Sequence, residues 1–447
     1  MISLNVLIVG AGPSGCYVVD ALQRKFADIT IDIIDRSPHP FGLLRTGVAP
    51  DHEKIKNLQT YFTKILDQPN VQFYGNVSFG DSITLDDVTP YYHAIFICTG
   101  TENDKYHPKL NYNDSTIFGS REIVEWYNGY PRKTSNFKPS LLGQNVSLFG
   151  FGNVTLDVAR ILLKSSDDLK KTEMPNDFID QLVAQHVTDV HIFIRRGPAQ
   201  AKCTPHELRE LLSLNNINVY SNWQDGCLTT TDQQEYDEST KVKRIVDQLQ
   251  SFNPPKPNLK NLHFHFYSCL DSYQQHDMKL KLTFVKSTVS GPAFDQKISL
   301  TNITYTHLTD SIITCLGNTG QRVDGIPFDN KTLLIPHNKG KIIQPLTNNC
   351  ILYTAGWIKR GAQGVIGTNK AGALETVTTF FQDTQNKQLK PVSTFDLGKL
   401  LTRKNITYIT LKDWKKLNQY ELEIGKAKGK TRDKLTQLED INEFLHK

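Results

Sequence analysis

The sequence contains no Cys-x-x-Cys pair: its seven cysteines, Cys16, Cys98, Cys203, Cys227, Cys269, Cys315 and Cys350, stand singly and far apart. That spacing argues against a cysteine-held metal or iron–sulfur site and against a redox-active disulfide, and an odd, scattered set suits a reducing compartment. No apolar run is long enough to span a membrane. There is no low-complexity tract and no short repeat. Charge of one sign is also scarce: a net +5 over 447 residues is too mild and too dispersed for a nucleic-acid binder, though it suits an acidic protein partner. Strand-like "VLIVG" follows "MISLN" at once, leaving no room for a signal or transit peptide, so a cytoplasmic protein is expected. A mitochondrial chain whose presequence has been removed would read the same way. A chain this long exceeds what one hydrophobic core usually serves, and two domains are expected.

What is present begins with "VLIVGAGPSG", residues 6–15. A β-branched strand runs into Gly10, Gly12 and Gly15 in a G-x-G-x-x-G turn, and a helix-like stretch follows. The first glycine permits the tight turn, the second lets backbone approach a pyrophosphate, and the third lets helix and strand pack closely. The helix N-terminus adds free N–H groups and partial positive charge. A second strand, "ITIDIID", ends in Asp35, where a carboxylate accepts hydrogen bonds from a ribose hydroxyl.

Residues 146–163, "VSLFGFGNVTLDVARILL", repeat the design with Gly150 and Gly152, while Asn153 and Val154 open the helix and Thr155 takes the third glycine position. The strand that follows, "DVHIFI", ends in Arg195-Arg196 rather than in an acid. Two guanidiniums there suit the 2′-phosphate that distinguishes NADP from NAD. An acid after the first turn and cations after the second predict FAD in one and NADP in the other, with hydride passing from nicotinamide to flavin.

Two loops fit that reading. "RSPHPFGLLRTGVAPDHEK" after Asp35 is too rich in proline and glycine for a long helix or central strand, and Phe41 and Leu43 are candidates for cofactor contact or for core. Residues 351–377, "ILYTAGWIKRGAQGVIGTNKAGALETV", read as a strand, a loop containing Gly361 and Gly364, and a helix from about Asn369. Trp357 offers a flat surface there. The backbone of Gly364, Val365 and Ile366 offers donors to the pyrimidine side of a flavin. The FAD domain is therefore expected to be discontinuous, with the NADP domain inserted.

Taken in order, "VGAGPSG", "PFGLLRTGVAPDH", "FYGNV", "YHAIFICTG", "SREIVEWYNGYP", "GFGNVTLDVARILL", "RRGPAQAKCTPHELRE", "GWIKRGAQGVIGTNKAGALETV" and the tail "DWKKLNQYELEIGKAKGKTRDKL" closely resemble ferredoxin–NADP⁺ reductases of the adrenodoxin-reductase type. The resemblance spans nearly the whole chain. It implies an α/β protein with two Rossmann-like three-layer domains in a glutathione-reductase-like arrangement. The FAD domain is expected at 1–105 and 332–447 and the NADP domain at 106–331.

The implied activity takes hydride from NADPH to FAD and then passes single electrons to a small ferredoxin-like iron–sulfur protein. By the same resemblance Ser14, Asp35, Leu43, Val77, Trp357 and the Gly364–Ile366 backbone are FAD contacts, and Phe151, Gly152, Asn153, Val154, Arg195, Arg196, Glu207 and Gly364 are NADP contacts. His52 and Asp157 match a His/Asp pair near the nicotinamide, with His52 as a proton shuttle. The plainer alternative for Asp157 is an i,i+3 pair with Arg160. Lys241, Lys243 and Arg244 match a basic stretch used for docking, which Arg209 would join. Ser14, Thr155, Ala362, Cys203 and Asp35 depart from the family's usual residues, which touches fine geometry but removes no functional group. Other readings are a flavin disulfide reductase, disfavoured by the missing cysteine pair, a flavin monooxygenase, and a non-catalytic FAD scaffold or subunit. "GKAKGKTRDK" in the tail is expected to be a mobile surface loop.

Overall fold

The structure, a computed structural model, describes residues 3–131, 137–223, 226–250, 252–343, 350–386, 392 and 395–446. The chain forms two compact units, one of Met1–Asn103, Gly317–Lys428 and Lys434–Lys447, the other of Asp104–Leu316 and Gly429–Asp433.

The first unit is built on an eight-stranded sheet. Five parallel strands form its middle, in the order Ile351–Thr354, Ala94–Ile97, Leu4–Val9, Ile29–Asp35 and Val71–Gly75, with short antiparallel strands at both edges. These strands read as continuous apolar runs because both faces are covered. Val6, Ile8, Ile31, Ile33 and Phe96 join a core beneath helices Pro13–Lys25 and Thr368–Asn386, whereas Leu7, Val9, Ile34, Ile95 and Ile97 join a second core on the other face. The result is three layers.

Helix Leu411–Ala427 of the tail folds onto this unit, started by a Thr410–Asp413 capping box. Its Trp414 and Leu417 enter the same core as Phe41 and Phe62. The expectation of a mobile loop at 425–434 is overturned. Lys430, Arg432, Asp433 and Lys434 are all buried, Lys430 Nζ donates to Met174 O and to Asn176 Oδ1, and Arg432 faces Glu173 at 3.5 Å. A lysine-rich string reads as solvated; carbonyl and carboxylate partners some 250 residues upstream give it a reason to be buried that no local pattern reveals.

The second unit has a six-stranded parallel sheet in the order Ile117–Gly119, Ser311–Thr314, Asn145–Phe149, Asp189–Phe193, Lys260–His265 and Ile217–Ser221. A three-stranded antiparallel ribbon, Ser268–His276, Lys279–Ser290 and Lys297–Thr309, packs Leu280, Leu282 and Phe284 against Phe149 and Phe193. In each unit the strand that feeds the glycine turn lies between neighbours reached in opposite directions along the sheet, the switch point where open α/β sheets bind ligands. Among the described residues no helix is long and apolar enough to cross a membrane.

Candidate functional site

The first turn leaves no room for side chains at Gly10 and Gly15. Gly10 has φ +105°, and a Cβ on it would stand 2.6 Å from Cys98 O; one on Gly15 would stand 2.0 Å from Gly10 O. Gly12 lies against Gly42, whose φ is +46° and whose Cβ would come within 3.0 Å of Gly12 Cα. The helix that begins at Pro13 has no side-chain cap, so its first N–H groups stay available. Asp35 is half-buried and braced on this turn: its oxygens accept from Ala11 N at 2.7 Å and Ser37 N at 2.8 Å. Desolvation raises its pKa, against the opposing pull of those two donors. Each oxygen keeps a lone pair for a ribose hydroxyl. Val77, buried, donates its N–H to Asp35 O at 2.9 Å, and Phe41 N donates to Ala11 O at 2.8 Å.

The second stretch of this unit arrives at the same helix start. Gly356, with φ +82°, passes so close to Ser14 that a Cβ would lie 2.0 Å from Ser14 Oγ, and that hydroxyl donates to Asn369 Oδ1 at 3.1 Å. Sequence reading expects a helix from about Asn369; it spans Thr368–Asn386, preceded by a single turn at Trp357–Arg360. Trp357 Nε1 is buried without a partner. Among the described residues the backbone N–H groups of Gly364, Val365 and Ile366 donate to no protein acceptor, and Val365 is 58% exposed. Arg360, not singled out by sequence, fastens this loop by donating to Thr368 Oγ1 at 3.0 Å and Asn369 Oδ1 at 2.9 Å. Its place in "GWIKRGAQG" is the available signal.

Phe41 proves to be core: it is fully buried, 6.3 Å from the Phe62 ring and 5.9 Å from Trp414. Leu43 is half-buried at the start of the short helix Leu43–Thr46. Behind it lies an ion pair that sequence reading misses. Arg45 Nη2 donates to both Glu421 oxygens at 2.7 Å, with side chains 2% and 0% exposed, and the guanidinium lies 4.6 Å from the Trp414 ring centroid. No local pattern links residues 376 positions apart. His52 precedes the helical turn Glu53–Lys56, its carbonyl accepting from Ile55 N at 3.2 Å.

The second unit repeats the first turn with one substitution. Gly150 has φ +128°, and its Cβ would meet Cys315 O at 2.5 Å. Thr155, in the third glycine position, is fully buried, and its Oγ1 accepts from Gly152 N at 3.5 Å. The hydroxyl thus occupies the space that a third glycine would leave to backbone. Phe151 is buried edge-on to Phe264 and Phe266, and a Cβ on Gly152 would face open space. Asn153 Oδ1 accepts from Thr204 N at 2.8 Å, and Phe151 O accepts from Lys202 N and Cys203 N at 3.1 Å each. These bonds pull the segment after Arg195-Arg196 back onto the turn. Val154 is exposed at the helix start.

Arg195 is exposed and Arg196 half-buried, and among the described residues neither has an ion-pair partner. Arg196 Nε is buried without a hydrogen-bond partner. Two cations held beside a phosphate-type turn, one with an orphaned buried donor, fit a dianion. Glu207, buried in helix Pro205–Leu212, faces Arg160 Nη1 at 3.6 Å, and Asp157 pairs with Arg160 Nη2 at 2.9 Å. The i,i+3 alternative for Asp157 is therefore realised. Arg209, Lys241, Lys243 and Arg244 are all exposed, on two helices joined where Gln248 Nε2 donates to Pro205 O at 3.2 Å.

None of the seven cysteines forms a disulfide. Burial pushes the Cys98, Cys203 and Cys350 thiols up to about 12, and raises Cys16 and Cys315 as well. Thiols so far from ionisation are poor nucleophiles, which argues against a disulfide reductase.

A family profile described as an NAD(P)-binding Rossmann-like domain matches residues 8–74. The mitochondrial NADPH:adrenodoxin oxidoreductase of Arabidopsis thaliana is 32% identical over 461 residues, covering 98% of this chain and 94% of that protein. Its counterpart in Drosophila melanogaster is 31% identical, covering 98% and 92%. Among solved structures, Mycobacterium tuberculosis FprA in complex with NADPH matches with a TM-score of 0.92 at 28% identity, covering 99% of this chain and all of that one.

Proposed function

The chain belongs to the NADPH:adrenodoxin oxidoreductase family, and from that premise we propose how its residues divide the work. It is an FAD-dependent oxidoreductase that moves electrons from NADPH to a ferredoxin-type iron–sulfur protein. FAD, when bound, supplies the exchange between a two-electron input and one-electron outputs. The first unit takes the FAD and the second the NADPH. Gly10, Gly12 and Gly15 let backbone and the bare helix start meet the pyrophosphate, with Ser14 holding that start to Asn369. Asp35 accepts from the ribose, Leu43, Val77 and Trp357 flank the cofactor, and the free N–H groups of Gly364, Val365 and Ile366 serve the ring carbonyls.

In the second unit Phe151, Gly152, Asn153 and Val154 cradle the NADPH pyrophosphate, Arg195 and Arg196 bind its 2′-phosphate, and Glu207 adds a further contact. We assign proton transfer to the His52 imidazole and a supporting charge to the Asp157 carboxylate, which pairs with Arg160. Arg209, Lys241, Lys243 and Arg244 form the docking face for an acidic iron–sulfur partner. Seven unbonded thiols suit a reducing compartment, and the cytoplasm is the one proposed here.

The observation that carries this reading is the buried, partnerless Arg196 Nε beside a second glycine turn. A charge-assisted hydrogen bond contributes about 1.5–3 kcal/mol, so Arg196→Ala should lower kcat/KM for NADPH by about 10- to 150-fold. Activity with NADH should hardly change. Steady-state kinetics with both nucleotides decide the matter: a variant that keeps the parent's preference for NADPH refutes the assignment.

A further inference from the structure

Residues 356–369 of the first unit, "GWIKRGAQGVIGTN", hold a surplus of hydrogen-bond donors and no acid. Trp357 Nε1 and Arg360 Nη1 are buried with no partner, and the N–H groups of Gly364, Val365 and Ile366 donate to no acceptor among the described residues. The two cations of the segment differ. Lys359 is paired with Glu375 at 2.6 Å, whereas among the described residues Arg360 has no carboxylate within ion-pair distance. Desolvation lowers the pKa of Arg360 and no acid opposes it, yet a guanidinium stays protonated in proteins. Its positive charge is therefore not cancelled by the protein around it.

That charge is tied to the peptides that carry the free donors. Arg360 Nη2 donates to Thr368 Oγ1 at 3.0 Å and to Asn369 Oδ1 at 2.9 Å. Thr368 Oγ1 in turn donates to Val365 O at 2.7 Å, and Asn369 Nδ2 to Ile366 O at 3.0 Å. The hydroxyl has little freedom, since a Cβ on Gly364, whose φ is +79°, would stand 2.6 Å from it. Val365 O and Ile366 N are the two ends of one peptide unit. A donor on the oxygen strengthens the N–H at the other end, so the guanidinium acts through Thr368 on a backbone donor that has no protein acceptor. Asn369 Oδ1 also accepts from Ser14 Oγ at 3.1 Å, which ties the same cation to the start of helix Pro13–Lys25, whose first turn has no acid.

Donors without acids fit a group that presents acceptors and gains negative charge. The pyrimidine edge of a flavin does both: a hydride from NADPH brings two electrons and one proton, which adds one net negative charge. Resting on the reading that the first unit holds FAD, we propose that Arg360 is the positioning residue that raises the reduction potential of the cofactor. It does so by fixing residues 364–366 and by setting an uncancelled charge behind their peptides.

The test is an anaerobic dye-coupled titration of the full-length, FAD-loaded protein and its variants, with FAD retention followed by fluorescence. Arg360→Gln should shift the equilibrium about 10-fold toward the oxidised form, a fall of about 30 mV for the two-electron couple. Arg360→Lys keeps the charge without the planar fork and should restore more than half of that fall. Should Arg360→Gln lose its flavin, Thr368→Val takes its place: it breaks the link to Val365 O with the cation still present, and a fall of about threefold, about 14 mV, is expected. An unchanged potential, or an equal fall in Arg360→Lys and Arg360→Gln, overturns the proposal, because a residue that merely staples the loop would not distinguish the two. Failure of the FAD reading itself would look different, since the parent protein would then hold no flavin.

Discussion

Removing the charge of Glu421 should destabilise the first unit more than any exposed substitution would. Its carboxylate accepts both hydrogen bonds from Arg45 Nη2 and a third from Leu435 N at 3.3 Å, while the guanidinium lies against Trp414. With 2% and 0% of the two side chains exposed, water cannot take over the work of the missing partner. Glu421→Gln keeps the shape and an acceptor for Leu435, but removes the negative charge that accepts both bonds from Arg45 Nη2. Breaking one side of such a pair costs about 3–5 kcal/mol, whereas replacing both by apolar residues of similar volume is often near neutral. At about 2–4 °C per kcal/mol for a unit of this size, the variant should melt roughly 6–20 °C lower. The assay is the rise in flavin fluorescence on heating, which reports the unit that holds Arg45, checked against circular dichroism. Arg45→Met with Glu421→Leu should recover most of the loss. If Glu421→Gln shifts the transition by less than about 2 °C, the pair is not the charge clamp described here.

Three further outcomes follow from other residues. Burial pushes Asp32 up to about 6, against the lowering effect of the 2.5 Å hydrogen bond from Tyr92, so its stabilising effect is complete at acid pH and is lost as pH rises through that value. Thermal melts at pH 4 and pH 8 should show Asp32→Asn gaining on the parent only at the higher pH; an equal effect at both would refute the burial argument. His52→Gln should slow flavin reduction by NADPH in stopped-flow while leaving FAD content intact, and an unchanged rate would remove His52 from proton transfer. Turnover with a ferredoxin should fall as salt is added, and Lys241→Glu with Lys243→Glu should depress it further; indifference to ionic strength would discard the basic docking face.

The two glycine turns were legible because their requirements are contiguous. Gly10 and Gly15 are demanded by close approaches to Cys98 O and Gly10 O, and a strand, a turn and a helix announce them within the stretch from Leu4 to Lys25. Asp35 and the Arg195-Arg196 pair are readable for the same reason, each closing the next strand of its unit. The return of Gly356 onto Ser14 was not placed by sequence, since nothing local says that residues 14 and 356 meet. The Arg45–Glu421 pair and the burial of Lys430 and Arg432 were illegible: a charged residue in a polar stretch reads as solvated, and its distant partner carries the information. A row of imidazoles in the parallel sheet of the second unit lay between these cases. Alternation in "DVHIF" and "KNLHFH" puts His191, His263 and His265 on sheet faces, but only the strand order brings those faces side by side.

The five residues Gly429–Asp433 bear on whether the nucleotide-binding insert can travel as a module. A segment spanning only Asp104–Leu316, grafted into a relative or expressed alone, would arrive without Arg432, which faces the buried Glu173 carboxylate, and without Lys430, which donates to the Met174 carbonyl. Exchange of this insert between homologues therefore has to carry a short passenger from the far end of the chain, and recombination at the two obvious junctions alone should yield poorly folded hybrids.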